Sequence, residues 1–212
     1  MPDVEVTTNF FLVLTIVANA AVAVTLLLAL ACAFSSGARR AWRAVAAFLG
    51  PQALLCAWIV AIVTTAGSLW YSEHFNFLPC ELCWYQRICM YPLVAVLGVG
   101  WFRRDKAVWL TALPFVVIGA PLSLYHWLVE RVPSFAEGSS CSVVAPCSAP
   151  YFEKLGFVTL AWMCLSSFLL IGSLLAFYVT SSRAARADDA RADDGGDDPA
   201  RADAEPVTTV HA

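Results

Sequence analysis

Charge is what this sequence has least of. Only 14% of its 212 residues are Asp, Glu, Lys or Arg, against 60% hydrophobic residues. No stretch alternates polar and apolar residues as a strand would, and no glycine-rich nucleotide fingerprint follows a strand, which excludes the common nucleotide-binding classes. Basic residues are missing ahead of the first apolar run, Phe10 to Phe34, which is preceded by Asp3 and Glu5. That run also exceeds the roughly 7 to 15 residues of a secretory h-region, so the sequence predicts a retained helix and no cleaved signal.

What the chain does have is several apolar runs long enough to cross a bilayer, which takes about 20 helical residues. The second span is expected from Val45 to Tyr71, the third over residues 84–102, the fourth over 107–129 and the fifth from Gly156 to Thr180. Arg39, Arg40 and Arg43 follow the first span, Arg103, Arg104 and Lys106 follow the third, and Arg183, Arg186 and Arg191 follow the fifth. Short loops rich in Lys and Arg stay in the cytoplasm, so all three basic segments give one topology, with the N-terminus outside and the C-terminus cytoplasmic. The expected fold is an all-α integral membrane protein, a four-helix transmembrane bundle with an additional N-terminal transmembrane helix. It divides into residues 1–44 (extra helix and basic turn), 45–180 (catalytic core) and 181–212. The last segment is mostly Ala, Asp, Arg, Gly and Pro, contributes much of the net charge of −3, and is expected to be a disordered cytoplasmic tail.

Of eight cysteines, four fall in outer segments. Cys80 and Cys83 stand in Pro79-Cys80-Glu81-Leu82-Cys83-Trp84-Tyr85-Gln86-Arg87, where a polar turn meets an apolar helix. Cys141 and Cys147 lie in the loop from Glu130 to Lys154. Two thiols at that tight spacing can close a small disulfide ring, and a helix start lowers the pKa of the first sulfur. The same spacing also suits half of a zinc site. A purely structural role for the tight pair is disfavoured because closing so short a loop removes little chain entropy. Cys32, Cys56, Cys89 and Cys164 lie within apolar spans and are expected to be packed small residues. Arg87, one helical turn after Cys83, is placed either to face a polar acceptor beside the sulfur or to snorkel to the headgroups. His126 falls at the outer end of the fourth span, with Tyr125 and Trp127. Paired thiols on one side of a membrane can relay a disulfide by thiolate exchange, and a lipid-soluble acceptor such as a quinone suits the innermost pair.

The string Pro-Cys-x-Leu-Cys-x-Tyr-x-Arg over Pro79 to Arg87, followed by a second thiol pair in the next outer loop, resembles the bacterial disulfide-bond formation protein B family (DsbB, with its shorter BdbC-type relatives). The resemblance covers about residues 45–180. It implies a membrane thiol:quinone oxidoreductase at the bacterial plasma membrane, with ubiquinone or menaquinone as cofactor. Its partner would be an extracytoplasmic thioredoxin-fold thiol oxidase of DsbA or BdbD type. On that resemblance Cys80 and Cys83 match the quinone-proximal pair, with Cys83 touching the quinone and Arg87 stabilising its reduced form, and His126 is a further quinone contact. Cys141 matches the sulfur that the partner attacks, and Cys147 the one that then attacks Cys80. No metal site is expected. The loop pair here is separated by only five residues, closer than in the best-known member, and the first helix is an addition to the four-span core. Two alternatives remain. A quinone reductase of the vitamin K epoxide reductase type would place its loop cysteines before the Cys-x-x-Cys, and a non-enzymatic protein would hold zinc on the outer thiols.

Overall fold

The computed structural model describes residues 2–137, 141 and 145–194. Six helices follow one another: α1 (Pro2–Phe34), α2 (Ser36–Glu73), α3 (Glu81–Phe102), α4 (Val108–Arg131), the short α5 (Pro133–Glu137) and α6 (Leu160–Asp194). All but α5 are long and apolar enough to cross a membrane. Among the described residues there is no strand, only an isolated bridge between Lys154 and Val158.

The five expected spans are present, with different ends. Helices α1 and α2 are nearly continuous. They are parted at Ser35, whose extended backbone and hydroxyl, accepting from the Gly37 and Ala38 amides, start a new helix. The fifth span begins at Leu160 instead of Gly156 because Leu155 and Gly156 both take positive φ (54° and 74°), a turn that a helix cannot contain. Its far end runs to Asp194, through the first part of the expected tail. Ala and Arg, frequent from Arg183 on, are strong helix formers, and a helix already nucleated in the bundle extends through them at little cost. The rest of the tail, residues 195–212, lies outside the described residues.

A single core joins α2, α3, α4 and α6. Ala57, Ala61, Leu93, Leu97, Ala112, Phe168 and Ile171 are fully enclosed there. Alanines on α2 and α4 let the backbones approach, and leucines and Phe168 fill the space between, the small-against-large packing that holds helices together where lipid removes the hydrophobic drive. Polar pins fix the register. The Trp58 indole donates to the Val94 carbonyl at 2.9 Å, and Thr64 donates to Ser167 at 2.9 Å. At the basic end Trp42 donates to Thr180 and Tyr178 to the Asp105 carbonyl, tying the three arginine-bearing segments together. At the opposite end the chain segments before α3 and after α4 meet: the Tyr151 ring stacks on Phe77 with centroids 4.2 Å apart, and its hydroxyl donates to the Leu78 carbonyl.

Candidate active site

Cys80 is the N-cap of α3. Its extended backbone (φ −70°, ψ 173°) turns the sulfur back over the helix start, where it accepts from the Cys83 amide at 3.3 Å. The sulfur therefore occupies the place a serine or aspartate oxygen takes in an ordinary cap, at the positive end of the helix. The Cys83 thiol also donates to it, and His126 of α4 approaches with Nε2 at 3.5 Å. These contacts lower the Cys80 pKa from 9.0 to about 4: the Cys83 thiol hydrogen bond is the largest cause, His126 and the Cys83 amide add to it, and burial opposes it. Cys80 is consequently a thiolate at neutral pH.

His126 has a partner of its own. Glu130, one turn further along α4, places Oε1 3.9 Å from His126 Nε2, and its other oxygen accepts from Thr159 at 2.6 Å. His126 and Glu130 are both almost wholly buried. The donor atoms of Cys80, Cys83 and His126 lie within 4.8 Å of one another, a spacing at which three such ligands can also grip a metal ion.

Cys141 and Cys147 are joined in a disulfide, with Cα atoms 5.9 Å apart. Cys147 is buried, and with Cys80, Leu82 and Val129 it forms a small apolar cluster against which Cys83, Leu122, Cys141 and Ala145 pack. The structure thus brings Cys80, Cys83, Cys141 and Cys147 together in one cluster.

On its inner side the tight pair faces a cavity of about 320 Å³. Cys83 and Arg87 line it, as do Met90, Tyr91, Met163 and Leu170; Cys80 and His126 do not. Arg87 is anchored to α2: Nε donates to the Ser68 hydroxyl at 3.0 Å, and Nη2 to the Ser68 carbonyl and the Ser72 hydroxyl. Its guanidinium also lies 5.2 Å from the Trp84 ring centroid, so its head group is tied to α2 and to the first turn of α3. Two further cavity residues carry buried polar atoms that find no partner among the described residues, Gln86 Nε2 and Tyr91 Oη. An apolar cavity lined by the Cys83 thiol, one cation and two unpaired donors suits a flat apolar ring bearing carbonyl oxygens, so the residues present fit a quinone.

Sequence reasoning placed His126 beside the quinone; in the structure its Nε2 contacts Cys80, outside the cavity lining. It read Cys164 as filler, and Cys164 is a wall residue of the cavity, whereas Cys56 is exposed on the outer face of α2. It missed Glu130, Gln86, Tyr91, Ser68 and Ser72. Glu130 was recoverable, since it stands four residues after His126 and so on the same helix face.

A family model, disulfide bond formation protein DsbB, matches residues 51–179. Disulfide bond formation protein C of Bacillus subtilis is 45% identical over 118 residues, covering 56% of this chain and 86% of that protein. A probable disulfide formation protein C of Bacillus cereus is 42% identical over 132 residues (62% and 94% coverage), and a probable disulfide formation protein of Coxiella burnetii is 38% identical over 144 residues (66% and 98%). No solved structure matches the chain. The matched segment contains both thiol pairs, Arg87, His126 and the cavity faces of α2, α3 and α6, and with it the chain belongs to the DsbB family of membrane-spanning disulfide bond formation proteins.

Proposed function

We propose that the protein reoxidises a thioredoxin-fold thiol oxidase outside the plasma membrane and passes the electrons through its two thiol pairs to membrane quinone, ubiquinone or menaquinone. The observation that carries this reading is the position of the tight pair: Cys80 packs on the loop disulfide while Cys83 opens on the cavity. The thiol end is taken as extracytoplasmic and the C-terminus as cytoplasmic, because the arginine-bearing segments gather at the other end of the bundle.

The exchange balances as follows. A partner thiolate attacks Cys141 Sγ, forming a mixed disulfide as the Cys141–Cys147 bond breaks. Cys147 leaves as a thiolate and attacks Cys80 of an oxidised Cys80–Cys83 pair, releasing Cys83 as a thiolate. The partner's second thiolate attacks its own half of the mixed disulfide, leaving the partner oxidised and Cys141 free. Cys141 then displaces Cys80 from Cys147 and restores the loop disulfide. Two electrons now reside on Cys80 and Cys83, the same distribution of thiols and disulfide as in the structure. Quinone, when bound, supplies a two-electron, two-proton acceptor. Cys83, Arg87, Gln86 and Tyr91 are the residues that would hold it, the last three as hydrogen-bond donors. A strongly oxidising thiol oxidase sits near about −120 mV and each 30 mV uphill costs roughly 1.4 kcal/mol for two electrons, so the acceptor has to be oxidising in turn.

The test is quinone reduction by the purified protein with a reduced thioredoxin-fold oxidase as donor. Turnover that stops in Cys→Ser variants at each of the four positions supports the relay; full turnover in the Cys141 and Cys147 variants removes the loop pair from the pathway. A second reading, a zinc-binding membrane protein, draws on the close approach of Cys80, Cys83 and His126. Stoichiometric zinc in the protein as purified, without quinone reduction, would favour it.

A further inference from the structure

The family match starts at residue 51, after α1, yet α1 lines the same cavity as Cys83 and Arg87 through Phe11, Leu14, Thr15, Val17 and Ala18. This contact is built in. Thr8, Thr15, Ala18 and Val22 are buried on one stripe of α1 at spacings of seven, three and four residues, while Val13, Val24 and Leu27 face outward. The Phe11 ring lies over Gly67, where a Cβ would come within 2.6 Å of it, so α2 has kept open the space this ring fills. Polar pins hold the register: the Tyr71 hydroxyl bonds Thr8 Oγ1 at 3.2 Å in the interior, and Ser166 donates to Asn19 at 2.9 Å.

The chemistry of the α1 wall differs from that of the other walls. Its single polar side chain, Thr15, gives its hydroxyl proton to the Phe11 carbonyl at 2.8 Å. The two buried donors of the cavity that find no partner among the described residues, Gln86 Nε2 and Tyr91 Oη, both come from α3, as does the Arg87 guanidinium. We infer that α1 is a quinone-binding element of this chain: it closes the cavity from the lipid and packs on the apolar, alkyl-substituted part of the quinone, with Leu14 and Ala18 setting how bulky that part can be. The inference rests on the quinone reading of the cavity.

The experiment uses the full chain in lipid nanodiscs and an azido-ubiquinone that labels its contacts on illumination, with mass-spectrometric mapping of labelled peptides. Label is expected in α1, on residues 11–18, as well as in α3. Ala18→Phe is expected to weaken equilibrium binding of the unlabelled quinone about tenfold by filling the cavity. Val24→Phe, on the outward face, is expected to bind as the unaltered chain does. Circular dichroism and gel filtration report whether each variant folds. Label in α3 with none in α1, or unchanged binding by folded Ala18→Phe, overturns the role of α1 and leaves the quinone reading standing. No label on any wall of the cavity overturns that reading as well.

Discussion

Cys80 and Cys83 sit three residues apart on the first turn of α3, with a backbone amide, a thiol proton and an imidazole all directed at one sulfur. Cys141 and Cys147 are tied to each other across a loop, and their sulfurs share a bond instead of a charge. The first arrangement stabilises a thiolate, the product of reduction. Stabilising the reduced form makes a disulfide a stronger oxidant, so in the proposed relay a thiolate site built at Cys80 would draw electrons from the loop pair toward the cavity. The two pairs therefore differ in a way that gives the proposed relay a direction, and four experiments probe that difference.

The largest effect is expected from removing any of the four sulfurs. Cys→Ser at Cys80, Cys83, Cys141 or Cys147 should reduce steady-state quinone reduction to background. Single-turnover mixing separates the pairs: the Cys80 and Cys83 variants should still lose their loop disulfide to a reduced partner, and the Cys141 and Cys147 variants should not react. A Cys80 variant that no longer exchanges with the partner would erase the division of labour.

Next comes Arg87→Gln. Charge-assisted hydrogen bonds are worth about 1.5–3 kcal/mol, or roughly 10- to 100-fold in affinity. A rise of that order in the KM for quinone, with the single-turnover reaction of the loop pair unchanged, is the expected outcome. Loss of the loop reaction instead would mean that the guanidinium supports the whole thiol cluster.

His126→Ala should act through pH. In the reduced protein the Cys80 pKa is depressed from 9.0 to about 4, so its contribution to stability is complete above the unfolded value and disappears as pH falls through about 4. Following the ultraviolet thiolate absorbance against pH, the midpoint should lie near 4 in the unaltered protein and move upward in His126→Ala. An unmoved midpoint would leave the Cys83 contacts and the helix end as sufficient causes. The smallest effect is expected for Cys56→Ser, whose side chain is exposed on the lipid-facing side of α2: turnover should be unchanged.

Sequence alone revealed the spans and their order because hydropathy and flanking charge act locally, and it revealed the thiol pairs because they stand close in the chain. Arg87 was visible for the same reason, as a cation one turn from Cys83. What holds Arg87 was not visible: Ser68 and Ser72 are 19 and 15 residues away on another helix, and only the relative rotation of α2 and α3 aims them at it. His126 could be read as an outer-end residue, but its meeting with Cys80 across 46 residues needs the folded bundle. For α1 the difficulty was its composition, apolar on every side, so that no stripe in the sequence marks the face that meets the cavity. The tail misled for a different reason. Residues too polar to bury a core can still prolong a helix that others have started.

Tyr151 has one more consequence. By gripping Phe77 and the Leu78 carbonyl it bolts together two outer segments 73 residues apart, one leaving Cys147 and the other arriving at Cys80. A displacement of the first segment is passed to the second through this contact, alongside the packing of Cys147 against Cys80. Strain at one thiol pair is in this way felt sideways along the rim, at the approach to the other.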